Sequence, residues 1–441
     1  MLYYLSSCYI NTSNDGSHYA LVSAIVNKHT VEINDYIDYT GHVDYATKDG
    51  KLFSDRLPGT AFLMIPFFLF GNFLKLLHLD VLSHHVPIQE VTVILLSNIS
   101  GILGILFLFF LYRHFNFSFK TSLLLSITFA LCTLNWQEAT HVFSHAPSMC
   151  FVLMAFYFLI RSSHLNDKQF YLFVFLLSYS TVIELQNCLL FLPALIYLIQ
   201  TKKITQKSFS EETGSILTSV LIFVSTISLL LLYNYITFGE FTLKSNKYNP
   251  AFPEEKYFIT SLSGDFISGL DRLFTNFSNK EFWFNLELGT KNDIPGFFIS
   301  TPILLISFVG FFIFFRKKPK EALLFTLIIV INVLIAAFHK TVLIRHIFTI
   351  TPFFFFPIIF IVQYINGKKS KLFSTLFYSI FIILAALSCY RVFYVTHTYW
   401  GRELTNKLPF SKEMGVYLVF ILLVSILTLL FLKLKQKLSS N

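Results

Sequence analysis

Ser13-Asn14-Asp15-Gly16-Ser17-His18-Tyr19-Ala20-Leu21, Thr40-Gly41-His42-Val43-Asp44-Tyr45 and Asp49-Gly50-Lys51-Leu52-Phe53-Ser54-Asp55-Arg56-Leu57-Pro58-Gly59 form a polar, acid-rich stretch at the front of the chain. From about residue 90 onward the sequence is a series of apolar runs separated by short polar links. A chain with one long polar loop near its start, another in its middle and apolar runs elsewhere reads as a membrane protein that works at the membrane surface.

Composition supports that contrast. The chain has 441 residues, of which 54% are hydrophobic and 13% charged, about half the charged fraction of a typical soluble domain. A soluble core could not hide so much apolar surface, so lipid must cover it. The net charge of +9 would suggest a nucleic-acid partner in a soluble protein. Here Lys and Arg cluster in links between apolar runs, and no nucleic acid is expected. The five cysteines are scattered, mostly within apolar runs, with no metal or disulfide spacing, and read as packing residues.

Runs near the length of a bilayer crossing occur at 90–112, 120–136, 147–160, 169–183, 188–200, 215–238, 296–315, 321–338, 346–365, 372–390 and 414–434. They predict an all-α polytopic membrane protein with about eleven full spans. Residues 1–12 read as the outer part of a first helix whose beginning is missing. Residues 13–89 read as a first outer loop, 90–238 as a transmembrane core, 239–295 as a long outer loop and 296–441 as C-terminal spans. Alternate links hold Arg113 and Lys120, Arg161 and Lys168, Lys202, Lys203 and Lys207, Arg316 to Lys320, and Lys368 to Lys371, while 80–89, 137–146 and 184–187 hold no Lys or Arg. The positive-inside rule makes the first set cytoplasmic. The side of 13–56 then turns on 57–79. If that stretch spans, the acidic loop is cytoplasmic; if it lies in the interface, the loop is outside. Seven acidic against four basic residues in 13–56 is an unusual balance for a cytoplasmic link.

Five segments, in order, resemble the GT-C-fold membrane glycosyltransferases that use polyprenyl-phosphate sugars, the group that includes protein O-mannosyltransferases and lipid A aminoarabinose transferases. They are Asn14 to Leu21, Gly50 to Thr60 (similar to a G-K-x-Y-S-x-x-P-G pattern), Thr140-His141-Val142-Phe143-Ser144-His145, Tyr233 to Gly239, and Arg345-His346-Ile347-Phe348-Thr349-Ile350-Thr351-Pro352-Phe353. The resemblance implies a GT-C-like bundle, a juxtamembrane 57–79, and an outer-face site in a bacterial plasma membrane. It also implies a hexosyl- or pentosyltransferase whose partners are a polyprenyl-phosphate sugar donor, membrane lipid and an acceptor that is protein, lipid or glycan.

Such a transfer needs a base for the acceptor and a holder for the leaving phosphate. Asp15, by position and by the family pattern, is the expected catalytic base; the plain alternative is a turn ahead of a helix cap. Arg345 with His346, and Arg56 with Lys51, are the expected donor-phosphate ligands, although a Lys such as Lys51 often only snorkels to headgroups. Asp44, Glu138, His141, His145 and Glu184 are expected to line the acceptor or sugar pocket. Glu138, His141 and His145 are spaced to share one helical face, which also suits a metal. Asp35, Asp38, Asp44 and Asp55 could together coordinate a divalent cation, but no spacing indicates one, so no metal site and no cofactor is assigned. A surface-polysaccharide polymerase or ligase and a lipid-linked-sugar transporter are the competing functions. The transporter should show an internal repeat, which the sequence lacks. The polymerase or ligase class lacks an acidic loop straight after its first helix.

Overall fold

The computed structural model describes residues 2–79, 86–201, 212–252, 262–276, 296–339, 344–367 and 370–396. The expected span at 414–434, about half of the loop at 239–295 and the Lys202 to Lys207 link fall outside them. The chain is a helical bundle capped at one end by polar structure. The first long helix, α1 (Ser13–Lys28), is followed by a 3-10 segment (Asn34–Thr40), strands β1 (Tyr45–Lys48) and β2 (Lys51–Ser54), and α2 (Gly59–Leu76). The bundle then runs α3 (Ile88–Val93), α4 (Leu95–His114), α5 (Phe119–Cys132), the single turn α6 (Asn135–Glu138), α7 (His145–Arg161), α8 (Lys168–Ile183), α9 (Phe191–Gln200) and α10 (Thr213–Phe238). After α11 (Phe266–Phe274) come α12 (Ile306–Lys317), α13 (Pro319–Phe338), α14 (Thr351–Phe355), α15 (Ile358–Asn366) and α16 (Lys371–Tyr394).

Among the described residues six helical stretches are long and apolar enough to cross a membrane. They bury themselves very differently. In the most apolar window of Arg345–Asn366, 89% is buried inside the bundle, against 11% for Thr213–Phe238, so the first is a central span and the second lies at the outside of the bundle. The centre is aromatic: the Phe356 ring lies 5.1 Å from Tyr112, 5.3 Å from Phe115, 5.5 Å from Phe314 and 5.2 Å from Phe325. The expected unbroken span at 346–365 is interrupted: a 3-10 segment, Ile344–Ile350, leads into α14 and α15. Pro352 and Pro357 fall at those joints, because proline supplies no N–H to a helix interior. Residues 1–12 supply one helical turn, Leu2–Leu5, whose Tyr3 hydroxyl donates to Ala130 O over 2.9 Å.

The position of α2 decides how the polar segment sits. Helix α7 runs parallel to α4, with Phe107 5.3 Å from Tyr157, and antiparallel to α8, with Phe151 5.3 Å from Tyr179 and Phe156 6.1 Å from Phe173. The start of α3–α4, the start of α7 and the end of α8 therefore share one end of the bundle. Both ends of α2 attach there. A Cβ on Gly59 would come 2.6 Å from Val182 O at the end of α8, and one on Gly71 would come 2.8 Å from Gln89 Cα at the start of α3. Helix α2 meets its length and apolarity requirement for a span, yet it caps the ends of the spans instead of running beside them.

The all-α expectation misses one element: β1 and β2 form an antiparallel hairpin with Tyr45 opposite Ser54 and Lys48 opposite Lys51. Its turn is Asp49-Gly50, with φ of 50° and 76°, the paired left-handed geometry that favours Asp-Gly in two-residue hairpins. The strands are too short for an alternating pattern to reveal them. Helix α1 is locked against the 3-10 segment by the absence of a side chain at Gly16, where a Cβ would meet Tyr39 O at 1.7 Å. Gly16→Ala should therefore force the two apart and cost about 1–3 kcal/mol, the usual penalty of overpacking. Thermal unfolding in detergent checks this; an unchanged Tm would mean that the contact yields freely.

Candidate functional site

The hairpin register sets the first half of the site. With Tyr45 paired to Ser54, the next residues outward, Asp44 and Asp55, come together as the strands end. Both are 4% exposed. The Arg56 guanidinium joins them, with Nη2 2.6 Å from Asp44 Oδ1 and Nε 3.4 Å from Asp55 Oδ1. Ser17 Oγ donates to Asp55 Oδ1 over 3.3 Å, and Asn249 Nδ2 donates to Asp55 Oδ2 over 2.8 Å. Burial works to raise the Asp44 carboxyl, but Arg56, Ser13 and Arg345 outweigh it and hold it below the ordinary value. Burial dominates at Asp55 and, with the Asp44 charge, pushes it up against Arg56.

Helix α1 points its first turns at this pair. Asp15, 1% exposed, closes a capping box with Thr12. Its carboxylate accepts from Thr12 N (2.8 Å), Thr12 Oγ1 (2.6 Å), Gly16 N (2.9 Å) and Asn11 N (3.4 Å). Burial outweighs these donors and pushes it up to about 6. One turn on, His18 is 2% exposed and its Nδ1 has no hydrogen-bond partner. Burial, with the charges of Arg56 and His145, lowers it to about 3 against the pull of Asp44 and Glu184, so His18 is neutral at physiological pH. Sequence reading missed its role; the available signal was its place one helical turn after Asp15.

The second half comes from the span ends. His145 Nδ1 lies 2.5 Å from Glu184 Oε1, and Ser144 and Ser148 donate to the same carboxylate over 3.0 and 2.7 Å. Asn187 Nδ2 in turn donates to Ser148 Oγ over 2.8 Å. The His346 ring lies 6.5 Å from His145 and 5.2 Å from His339, and the Arg345 guanidinium lies 5.4 Å from the Phe143 ring centre. Glu138 is 3% exposed, with Oε2 unpartnered and His145, Arg345 and Glu184 as its charged neighbours.

Two sequence expectations need correction. Lys51 is not brought to the cluster: it sits at the turn end of the hairpin, paired with Glu32. There it helps line a cavity of about 890 Å³, together with Lys48, Phe53 and Phe238. Glu138, His141 and His145 do not share a helical face, because α6 ends at Glu138 and α7 starts at His145. His141 Nδ1 is 3.1 Å from Gln137 O and 3.0 Å from Thr140 Oγ1, so the ring is held by its own loop. Among the described residues no three His, Cys, Asp or Glu side chains converge as a metal site. Asp35 and Asp38 lie at the surface, paired with Lys28 and His42.

The fold is that of the GT-C membrane glycosyltransferases. A sequence model described as dolichyl-phosphate-mannose-protein mannosyltransferase matches residues 84–232, which include α3 to α9 and most of α10. The structure superposes on ArnT from Cupriavidus metallidurans bound to undecaprenyl phosphate with a TM-score of 0.54 at 10% identity, covering 94% of this chain and 75% of that one. ArnT in the apo state gives 0.53 at 12% identity, with coverages of 96% and 74%. The Archaeoglobus fulgidus oligosaccharyltransferase in the apo form gives 0.51 at 10% identity over 89% of this chain, which spans about half (52%) of that protein. No curated protein matches the chain by sequence.

Glu184 is the acceptor on which His145, Ser144 and Ser148 all depend. Glu184→Gln, which keeps the shape and removes the charge, should cost about 1–3 kcal/mol through the donors it leaves unmatched. A melting temperature equal to that of the parent would show the network to be dispensable.

Proposed function

We propose that this chain transfers a sugar from a polyprenyl-phosphate-linked donor to a hydroxyl or amine acceptor on the non-cytoplasmic face of the membrane. One observation carries the reading. Five polar segments, spread from residue 13 to residue 346, meet at one end of an apolar bundle, where the phosphate of a membrane-anchored lipid could reach them. The likeness to a protein solved with undecaprenyl phosphate supports a lipid carrier of that class.

In this reading Arg56 and Arg345, with His346, hold the donor phosphate. Guanidinium groups suit it because they grip two phosphate oxygens at once. As the bond from the anomeric carbon to the phosphate oxygen breaks, their charge stabilises the departing phosphate. Asp15 takes the acceptor proton, and the acceptor oxygen or nitrogen forms the new bond to the sugar. Asp44, Glu138, His141, His145 and Glu184 line the pocket. The unpartnered atoms of His18 and Glu138 are where the hydroxyls of a neutral ring find partners, since a buried polar atom left unmatched is costly until a ligand satisfies it. Membranes incubated with radiolabelled polyprenyl-phosphate sugars test the activity: label moving into a product supports it. Label that crosses the bilayer still attached to its lipid would instead favour the transporter.

Asp15 gives a sharper test, because its cap and its proposed chemistry predict different results. As the base, Asp15→Asn should lower turnover about 100- to 10,000-fold, on top of the modest loss of stability that weakening the capping box brings in either case. The parent rate should rise with pH through about 6, since a base works only after losing its proton. As a cap alone, the variant should keep its rate and lose about 0.5–2 kcal/mol of stability.

Sidedness is tested at exposed positions. A cysteine placed at His42 should react with an impermeant maleimide in intact cells, and one placed at Lys318 only after permeabilisation; both positions are exposed. The reverse pattern would put the site in the cytoplasm and remove the outer-face reading.

A further inference from the structure

Glu90 is a buried acid that the proposed chemistry does not use. It stands in the first turn of α3, 5% exposed, among Ile88, Val91, Val93, Met64 and Phe68. A carboxyl in such apolar company is costly unless something pairs with it. Its partner is the Tyr39 hydroxyl, which donates to Glu90 Oε1 over 2.8 Å. Asp15, Tyr9, Tyr19 and Tyr39 are the titratable groups that face it.

Tyr39 is held at both of its ends and along its ring. The hydroxyl is on Glu90, and the ring lies 4.7 Å from the Tyr19 ring of α1, which Phe68 of α2 backs at 5.8 Å. The Tyr39 carbonyl lands on Gly16, where a Cβ would come within 1.7 Å of it. Gly16 is also a backbone donor to the acid before it, with its N–H nitrogen 2.9 Å from Asp15 Oδ1. A line of contacts therefore runs from Glu90 in α3, through Tyr39, to the peptide that orients Asp15. Were the Tyr39 ring free to swing, its carbonyl would no longer press on Gly16, and that donor would lose its aim.

We infer that Glu90 is a positioning residue: by holding the Tyr39 hydroxyl it keeps the 3-10 segment seated on Gly16 and so fixes the direction of the Asp15 carboxylate. Its bearing on the reaction rests on the reading of Asp15 as the base. Each donor aimed at a carboxylate favours the ionised form. Freeing Tyr39 weakens one of the four donors to Asp15, so the acid should keep its proton to a higher pH. Removing the Glu90 charge alone acts in the opposite sense, because a neighbouring negative charge favours the protonated acid. The two effects are therefore separable.

The test follows the carboxyl stretching band of Asp15 in the detergent-solubilised full-length protein by pH-difference infrared spectroscopy. The band is assigned by its loss in Asp15→Asn. Glu90→Gln keeps an acceptor for Tyr39, whereas Glu90→Leu does not, and both lack the charge. The Asp15 midpoint should lie about one unit higher in Glu90→Leu than in Glu90→Gln, the worth of one hydrogen bond to a charged group. Tyr39→Phe, which keeps the charge, should rise by a similar amount above the parent, and the midpoint of its pH–rate profile should move with the band. Equal midpoints in Glu90→Leu and Glu90→Gln overturn the inference even where Glu90→Leu melts lower, and leave Glu90 a packing residue. If the Glu90 variants do not fold, Tyr39→Phe, which lacks a single oxygen, decides: a midpoint equal to that of the parent overturns it. Should Asp15→Asn keep the parent rate, the base reading falls, while the band midpoints still decide whether Glu90 positions Asp15.

Discussion

Arg56 has to serve two carboxylates, Asp44 and Asp55, that the hairpin delivers side by side and almost fully buried. A single guanidinium cannot neutralise both at once, and the chain meets the excess charge with neutral donors: Ser17 from α1 and Asn249 from the second polar loop. That demand ties together parts of the sequence more than 200 residues apart. The hairpin, the start of α1 and the residues after α10 are held to one another because leaving either acid without its donors would strand a charge in a low-dielectric pocket. The cost of burying these groups is offset only when all of them are in place, so the polar end behaves as one unit.

The remainder of the molecule follows from the opposite constraint. Its spans are apolar all round, so sequence hydropathy cannot say which face is inside. Packing supplies the answer. The central helix α15 and the segments before it are sheathed by other helices, while α10 lies at the outside of the bundle. Ring contacts among Phe, Tyr and Trp account for much of the centre, where offset and edge-on aromatic packing is favourable. The polar residues of the spans gather at one end, so chemistry and insulation are separated along the bundle axis.

Much of this was legible in the sequence. The contrast between the acidic front and the apolar remainder gave the class, and Arg345, His346, His145 and Glu184, all flagged as polar residues at span ends, meet in three dimensions. The hairpin was hidden because four-residue strands carry almost no periodic signal. Lys51 looked like a partner for Arg56 by proximity in sequence, but strand geometry carries it away toward the turn and Glu32. His18 was overlooked because its one sequence signal, a place one helical turn after Asp15, does not tell a buried, unmatched imidazole from a surface one. The spacing of Glu138, His141 and His145 misled for a related reason: i, i+3 and i+4 spacing brings side chains together only if the helix is continuous, and here it stops at Glu138.

Helix α2 carries a further consequence. It joins the acidic cluster at Gly59 and rides on the span ends, with Leu69, Phe70, Phe73, Leu76 and Leu77 exposed along it. On the outer-face reading, those side chains lie at the boundary between headgroups and acyl chains, the layer in which the sideways pressure of a bilayer changes most when its lipids change. Pro58 and Gly59 transmit any tilt of α2 directly to Asp55 and Arg56. In that reading lipid composition bears on the spacing between the guanidinium and its carboxylates, and the surrounding membrane becomes part of what sets the shape of the pocket.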